Sequence, residues 1–559
     1  MNKKKFILNV ILFLIFSFFF IFFVYPLVYV FIKSFYINGK ISFSFFPIIF
    51  SNSVLRTSIL NSFEIALFTT LLTTLLSLPV SYMSVKFSFR LKGVLQSFLL
   101  VPLILPPFVG AIGMKKIFAR MGSLNLLLMK LGLISAPIDW LGDGGFLGVI
   151  LLETLHLYPI MYLNIVAALS NIDPTMDEVA KSIGASRFKI FKDITLPLAM
   201  PGFFAGAVIV FIWAFTDLGT PLIFDFYKTI PVQIFHMLTD INENPAGYVL
   251  VVFIIIITLL VFLISKNFFG KKRYEILSKG FVRKAEKELK GIKKFLFISY
   301  AIFLISFALI PHIGVLLVSL SKDWFGTILP SHYTLSHFAT IFKNHLTIIS
   351  IKNSFLYSSL STLLDIFLGI TIGYILIRTK VKGRDILDSF VMLPLALPGI
   401  VLAFGYLSSF SKTFLDPRIN PVPLLVISYG IRRLPYMVRS VYAGFQQLSK
   451  FMEEASYSLG GGKVHTFRKI TFPLISANIL AGALLCFAYA MLEVSDSLIL
   501  ALREKFFPIT KAIYILFNSV SGGFYVASAL GMVGMLILTF AILIGGKILG
   551  KKFGEMFRV

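Results

Sequence analysis

Apolar residues run along this chain in blocks of about 20 or more, the length a helix needs to cross a ~30 Å hydrocarbon core. Short polar segments separate the blocks. The pattern predicts spans near 6–32, 54–85, 94–118, 146–169, 198–224 and 246–265, then near 295–320, 351–377, 387–410, 422–447, 474–500 and 524–546. The first block follows a basic start, Lys3, Lys4 and Lys5, as a signal peptide would. Its apolar run is too long for such a peptide and no small-x-small cleavage site follows, so it reads as a retained span. The expected fold class is an all-α membrane protein with about twelve transmembrane helices in two parallel-oriented six-helix repeats.

Composition agrees. Of 559 residues, 57% are hydrophobic and 14% charged, against roughly 45–50% apolar in soluble domains. The lone cysteine, Cys486, rules out an intrachain disulfide. A formal charge of +26 would suit a nucleic-acid binder, but its distribution points elsewhere. With the N-terminus in the cytoplasm, most of the 52 Lys and Arg fall in cytoplasmic segments, the positive-inside pattern of a multi-pass protein. Both termini are then cytoplasmic, the lipid bilayer is the partner, and no nucleic acid is expected. The heaviest basic cluster, 266–294, includes only Glu275, Glu286 and Glu288 as acids. It reads as a solvated connector near anionic headgroups.

That linker separates two similar pieces, 1–265 and 295–559. Asn61-Ser62-Phe63 recurs as Asn353-Ser354-Phe355, and Pro102-x3-Pro106 as Pro394-x3-Pro398. Pro159 corresponds to Pro435, Glu178 to Glu454, Gly206 to Gly482 and Asp217 to Glu493. The first half carries an insertion in the outer loop 119–145. Equal span numbers give the repeats one orientation, so a pseudo-two-fold axis along the membrane normal is expected, with a transport pathway between them.

The segment between the fourth and fifth spans of each half is cytoplasmic on this topology. The first reads Glu178-Val179-Ala180-x3-Gly184-x9-Ile194-x-Leu196-Pro197, the second Glu454-Ala455-Ser456-x3-Gly460-x9-Ile470-x-Phe472-Pro473. Small residues let a short helix sit close to a surface, Gly184 and Gly460 permit a sharp turn, and Pro197 and Pro473 suit the first turn of the next helix. Both segments resemble the EAA loop of binding-protein-dependent ABC permeases, with Val179, Ser456 and Phe472 as departures.

The resemblance implies the type I ABC importer permease fold. It also implies that Glu178, Ala180, Gly184, Glu454, Ala455 and Gly460 couple the chain to two ABC ATPase subunits. A periplasmic or lipid-anchored substrate-binding protein would deliver substrate at the outer face, in a bacterial inner (plasma) membrane. Fusion of two halves looks most like the ferric-iron group, and Asp217-Leu218-Gly219-Thr220-Pro221 resembles an Asp-Phe-Gly-Thr run there. Thiamine, phosphonate and polyamine permeases are the alternatives within the class.

No G-x4-G-K-[ST] loop exists; Gly460-Gly461-Gly462-Lys463 lacks its first glycine and its Ser/Thr. No cofactor is therefore expected in this subunit, and ATP and Mg belong to the partner ATPase; no catalytic residue is assigned. A proton-coupled secondary transporter is the rival from another class, but the loop 86–93 lacks the G-x3-D-R-x-G-R pattern. His332, His337 and His345 lack the i, i+4 spacing of a zinc site, so no metal ligands are assigned.

Ionisable residues inside spans are costly and mark candidate pathways. Asp217 and Glu493 are repeat equivalents near the outer ends of their spans, and Gly219 and Pro221 break the helix beside Asp217. His156 and Arg432 are equivalents about midway through theirs, with Arg433 and Arg439 near Arg432. These four equivalents are the candidate translocation path. Glu153 is expected to pair with His156 along one helix face, and no role is assigned to Asp365 or Glu64.

Overall fold

The computed structural model describes residues 3–37, 40–43, 45–239, 245–269, 287–519 and 522–549. The linker expected at 266–294 lies largely outside them. Extended structure among the described residues is confined to three two-stranded ladders; the rest of the regular structure is helical. The first half runs α1 (Phe6–Ser34), α2 (Ser53–Lys86), α3 (Lys92–Leu103), α4 (Pro107–Lys130), α5 (Phe146–Ser170), α6 (Pro174–Ser182), α7 (Leu196–Thr216), α8 (Gly219–Ile223), α9 (Ile230–His236) and α10 (Ala246–Phe269). The second runs α11 (Gly291–Leu320), α12 (His345–Arg378), α13 (Arg384–Ala396), α14 (Gly399–Ser409), α15 (Val422–Gln447), α16 (Lys450–Ser458), α17 (Phe472–Met491), α18 (Ser495–Leu500), α19 (Ile509–Phe517) and α20 (Gly523–Leu549).

Nine helices among the described residues are long and apolar enough to cross a membrane, or up to eleven if two bent pairs each count as one span. The sequence reading places spans near 94–118 and 387–410, and the structure shows a sharp bend in each. α3 meets α4 at 91°, and α13 meets α14 at 100°. Proline is the cause, because it lacks an N–H and pushes the residue before it out of the helical region. Pro106 and Pro398 stand at the N-caps of α4 and of α14. The tenth expected span, 422–447, is present as α15, but Arg432, Arg433 and Arg439 remove it from the apolar class.

α2 and α12 are the repeat equivalents with the greatest reach. Each has 34 residues, about 51 Å at 1.5 Å per residue, so each outruns a ~30 Å hydrocarbon core. Both start on an asparagine N-cap. Asn52 Oδ1 accepts from the N–H groups of Val54 (2.9 Å) and Leu55 (3.1 Å), and Asn344 Oδ1 from Leu346 (2.9 Å).

The helices gather into two compact units that exchange their first spans relative to the chain halves. One holds 52–233 and 256–337, the other 1–51, 234–255 and 338–556. In the first unit α2 lies against α5 through a stripe of small polar residues. Ser77 donates to the Tyr158 carbonyl (2.9 Å) and Ser81 to that of Tyr162 (3.3 Å). α11 joins this unit where Gly113 and Gly314 meet. A Cβ on Gly113 would lie 2.5 Å from the Pro311 oxygen and the Val315 nitrogen, so only glycine permits this approach. Val80, Leu155, Tyr158 and Tyr162 form the core with Phe297, Ala301 and Leu304. In the second unit α12 packs on α15 and α17 around Met437, Val441, Phe445, Ile475 and Cys486. There α1 is tied to α14 by the Tyr406 hydroxyl, which donates to the Phe22 carbonyl at 2.7 Å.

Candidate functional site

The two EAA-like segments fold alike. Asp173 caps α6 by accepting from the Thr175 N–H (2.9 Å), and Ser449 caps α16 through Phe451 (3.4 Å). The Thr175 backbone N–H holds the Asp173 carboxyl below the usual aspartate range. Each helix ends in a Schellman turn. Gly184 N–H donates to Lys181 O (3.0 Å) and Ala185 N–H to Ala180 O (2.9 Å). In the second loop Gly460 N–H donates to Tyr457 O (3.1 Å) and Gly461 N–H to Ser456 O (2.8 Å). Gly184 has φ +85° and Gly460 φ +83°, while a Cβ on either would meet nothing within 4 Å. Conformation, and not space, demands glycine here.

Of the predicted coupling residues, Glu178, Glu454 and Ala455 are exposed and Ala180 is buried. The buried small position is therefore Ala180 and its equivalent Ser456, which meets Thr466 Oγ1 at 2.8 Å. Val179, Ile183 and Phe188 stay exposed in the first loop, as do Phe451, Leu459 and Val464 in the second. Each loop thus presents apolar side chains beside a charged glutamate.

Two ion pairs not anticipated from the sequence hold these loops. Lys86, the last residue of α2, meets Asp177 of α6 at 2.6 Å, and Arg378, the last of α12, meets Glu453 of α16 at 2.9 Å. Both members of each pair are repeat equivalents. A signal existed in the paired offsets, but neither acid belongs to the EAA-like string.

At the other end of α2 and α12, the repeated Asn-Ser-Phe motif gains a role. Asn61 Nδ2 donates to the Lys228 carbonyl (2.9 Å), and Ser62 Oγ accepts from the Ile230 N–H at the start of α9 (2.9 Å). Asn353 Nδ2 donates to Lys505 O (3.0 Å) and Phe507 O (3.2 Å), and Ser354 Oγ accepts from the Ile509 N–H of α19 (2.7 Å). Both motifs clamp the segment that follows a short helix, α8 or α18.

An intramembrane acid stands just before each of those short helices, Asp217 before α8 and Glu493 before α18. In the first half, Asp217 Oδ2 accepts from the Thr220 N–H (2.8 Å), and Thr220 Oγ1 donates to Glu153 Oε1 of α5 (2.8 Å). Two carboxylates from different helices therefore meet at one threonine. Glu153 does not pair with His156 as the sequence reading expects. His156 Nδ1 donates to the Pro102 carbonyl at the α3–α4 break (3.0 Å), and its ring lines a small cavity with His312, Pro106 and Pro311.

The second half brings Arg432 and Glu493 together within a larger network. Arg432 Nη1 lies 2.7 Å from Glu493 Oε2 and 3.2 Å from Asp496 Oδ2. Arg433 also pairs with Glu493 and donates to the Tyr489 carbonyl (2.9 Å). Ser428 donates to Asp496 (2.9 Å), and Tyr429 meets Ser497 at 2.6 Å. Two arginines and two acids balance each other here, as burial requires. Asp365, left without a role in the sequence reading, is wholly buried on α12, and neither oxygen finds a hydrogen-bond partner among the described residues. Among the described residues no group of three His, Cys, Asp or Glu side chains could hold a metal ion.

Each short helix also has a lysine at its C-terminal carbonyls, where a cation is favoured. Lys115 of α4 donates to Ile223 O (3.2 Å), and Lys511 of α19 to Leu498 O (2.8 Å). These lysines are not repeat equivalents, so the halves reach one end by different routes.

The ferric transport system permease protein FbpB of Actinobacillus pleuropneumoniae is 27% identical over 98% of this chain and 79% of its own. The putative ferric transport system permease protein FbpB 1 of Haemophilus influenzae is 27% identical over 90% of this chain and 79% of its own. The molybdate/tungstate transport system permease protein WtpB of Methanocaldococcus jannaschii is 31% identical over 37% of this chain and 81% of its own. A family model matches twice, over residues 73–274 and 365–552, each time taking in one EAA-like loop and one short helix with its acid. The chain belongs to the family of binding-protein-dependent transport system inner membrane components.

Proposed function

We propose that this chain is the permease subunit of an ATP-driven importer that carries ferric iron across a bacterial inner membrane. The likeness to a ferric transport permease over 98% of the chain supports this cargo. The pair formed by buried Glu153 and half-buried Asp217 suits it as well, since hard cations favour carboxylate oxygen. Two coupling loops on one polypeptide call for two ATPase subunits, which bind ATP and Mg and perform the hydrolysis. A periplasmic or lipid-anchored binding protein presents the ion at the outer face. Transport proceeds by alternating access, with both termini in the cytoplasm.

An oxyanion cargo is the second reading, favoured by the 31% identity to a molybdate/tungstate permease over 37% of the chain. Reconstitution with a cognate ATPase and binding protein tests both. ATP-dependent uptake of ferric iron is expected, with one copy of this chain per two ATPase subunits by mass. Uptake of molybdate alone would favour the oxyanion. Uptake driven by a proton gradient without ATP, or two copies of the chain per complex, would overturn the importer reading.

A further inference from the structure

We propose that α2 and α12 are transmission rods, each fastened at its inner end to a coupling loop and at its outer end to the segment following a short helix, α8 or α18. The proposal rests on the reading of α6 and α16 as ATPase docking elements. It names the residues through which their motion leaves the loop.

The inner fastening is the ion pair Lys86–Asp177 in one half and Arg378–Glu453 in the other. Ion pairs free in solvent contribute little and hold no fixed geometry. These are different. Their side chains are only 18% and 16% exposed in the first pair, and 7% and 13% in the second. Between the repeats Lys becomes Arg and Asp becomes Glu, yet cation and acid keep their places. Each acid also lies in the first turn of its helix, where the macrodipole favours negative charge. The second fastening is more elaborate. Glu453 accepts from Thr471 Oγ1 (2.8 Å), and Arg378 donates to the Leu448 carbonyl at the end of α15 (2.9 Å).

The outer fastening is the Asn-Ser motif. Asn61 and Ser62 hold the chain at Lys228 and Ile230; Asn353 and Ser354 hold it at Lys505, Phe507 and Ile509. Between Ser62 and Lys86 lie about 24 residues of unbroken helix, roughly 36 Å at 1.5 Å per residue. An α-helix of that length transmits displacement along its axis, whereas a loop would absorb it. Pro79 lies within α2, but the helix continues through it. The apolar side chains of the coupling loops remain exposed for docking. Movement of a docked loop must therefore carry the inner end of the rod, and the rod must carry the outer segment.

Charge reversal tests this in the assembled complex, in liposomes, with radioactive ferric iron delivered by the binding protein. Asp177→Lys should lower ATP-driven uptake about tenfold, a coupling loss of ordinary size, while the ATPase still co-purifies. Combining it with Lys86→Asp should restore most uptake. Hydrogen exchange in residues 225–236 should respond to ATP in the wild type and in the double variant, but not in Asp177→Lys. If Asp177→Lys fails to reach the membrane, Asp177→Asn keeps the size and should show the same loss of distal response. Wild-type uptake in the single variants, or a double variant as poor as the singles, overturns the rods while leaving ATPase docking in place. Failure of the ATPase to associate with the wild-type chain would instead remove the docking reading, and the rods with it.

Discussion

Arg432 and Glu493 meet at 2.7 Å, whereas their first-half equivalents are turned to different partners, His156 to the Pro102 carbonyl and Asp217 to the Thr220 N–H. One set of positions thus carries a closed ion network and the other a pair of acids held by neutral donors. The stability of the two should respond differently. Glu493→Gln leaves buried Arg433 and half-buried Arg432 with Asp496 as the one remaining acid of the network, and breaking such a network costs about 3–5 kcal/mol. Asp217→Asn retains an oxygen for the Thr220 N–H, so its cost should be nearer ~1 kcal/mol, the scale of one net hydrogen bond. Thermal unfolding of the detergent-purified chain should show a much larger fall for Glu493→Gln. Equal falls would mean that the network does not stabilise this fold.

The coupling glycines invite a finer test than bulk alone. Because a Cβ meets nothing at Gly184 or Gly460, any penalty must come from positive φ, about 1–2 kcal/mol for an L-residue in the left-handed region. Asparagine tolerates that region best, so Gly184→Asn and Gly460→Asn should keep most of the transport-linked ATPase activity. Gly184→Val and Gly460→Val should lose it, with membrane insertion intact. Equal activity of the Asn and Val variants would show that the turn does not matter to docking.

The outer clamps make a prediction about local opening. Ser62→Ala and Ser354→Ala each remove the acceptor for a buried backbone N–H, of Ile230 or Ile509, at a cost of about 1–3 kcal/mol. The loss should be local. Amide exchange should accelerate in residues 225–236 for the first variant and 503–517 for the second, with little change in α5 or α15. Uniform acceleration across the chain would assign these serines to global stability.

The parts of this fold that repeat, and that depend on local chain chemistry, were legible in the sequence. The proline pairs and the EAA-like loops stood out because each encodes a break, cap or turn, whereas the Asn-Ser-Phe motif stood out only as a repeat, its clamp being a contact distant in sequence. What escaped was set by packing. Nothing in the order of residues announces that α1 groups with α14, or that Gly113 faces Gly314 across two spans distant in sequence. The ion pairs Lys86–Asp177 and Arg378–Glu453 escaped because their partners lie far apart along the chain. Pro102-x3-Pro106 was visible as a repeat, but its bend needs the three-dimensional path. Asp365 has Thr73 at its repeat position, which is a weak signal by itself.

The sign of the cargo can be read from the same two acid positions. Asp217 and Glu493 are equivalent by repeat, and each acid accepts a backbone N–H from the short helix that follows, Thr220 in one half and Asp496 in the other (3.3 Å). Glu493 is neutralised by Arg432 and Arg433, while Glu153 and Asp217 are held by the Thr220 hydroxyl and N–H. If ferric iron passes the first-half pair, Glu153→Gln together with Asp217→Asn removes two charges at nearly constant size. Ferric uptake should then fall at least about tenfold, equivalent to ~1.4 kcal/mol at the barrier, with expression and ATPase association unchanged. Arg432→Gln should affect ferric uptake less, provided that thermal unfolding shows the network surviving. An oxyanion cargo reverses the order, because the acids would then repel the substrate and Arg432 would attract it. Uptake assays with ferric iron and with molybdate, on both variants, therefore report the charge of the cargo and the place where it is felt. Intact transport in both would assign these residues to helix capping and internal charge balance alone.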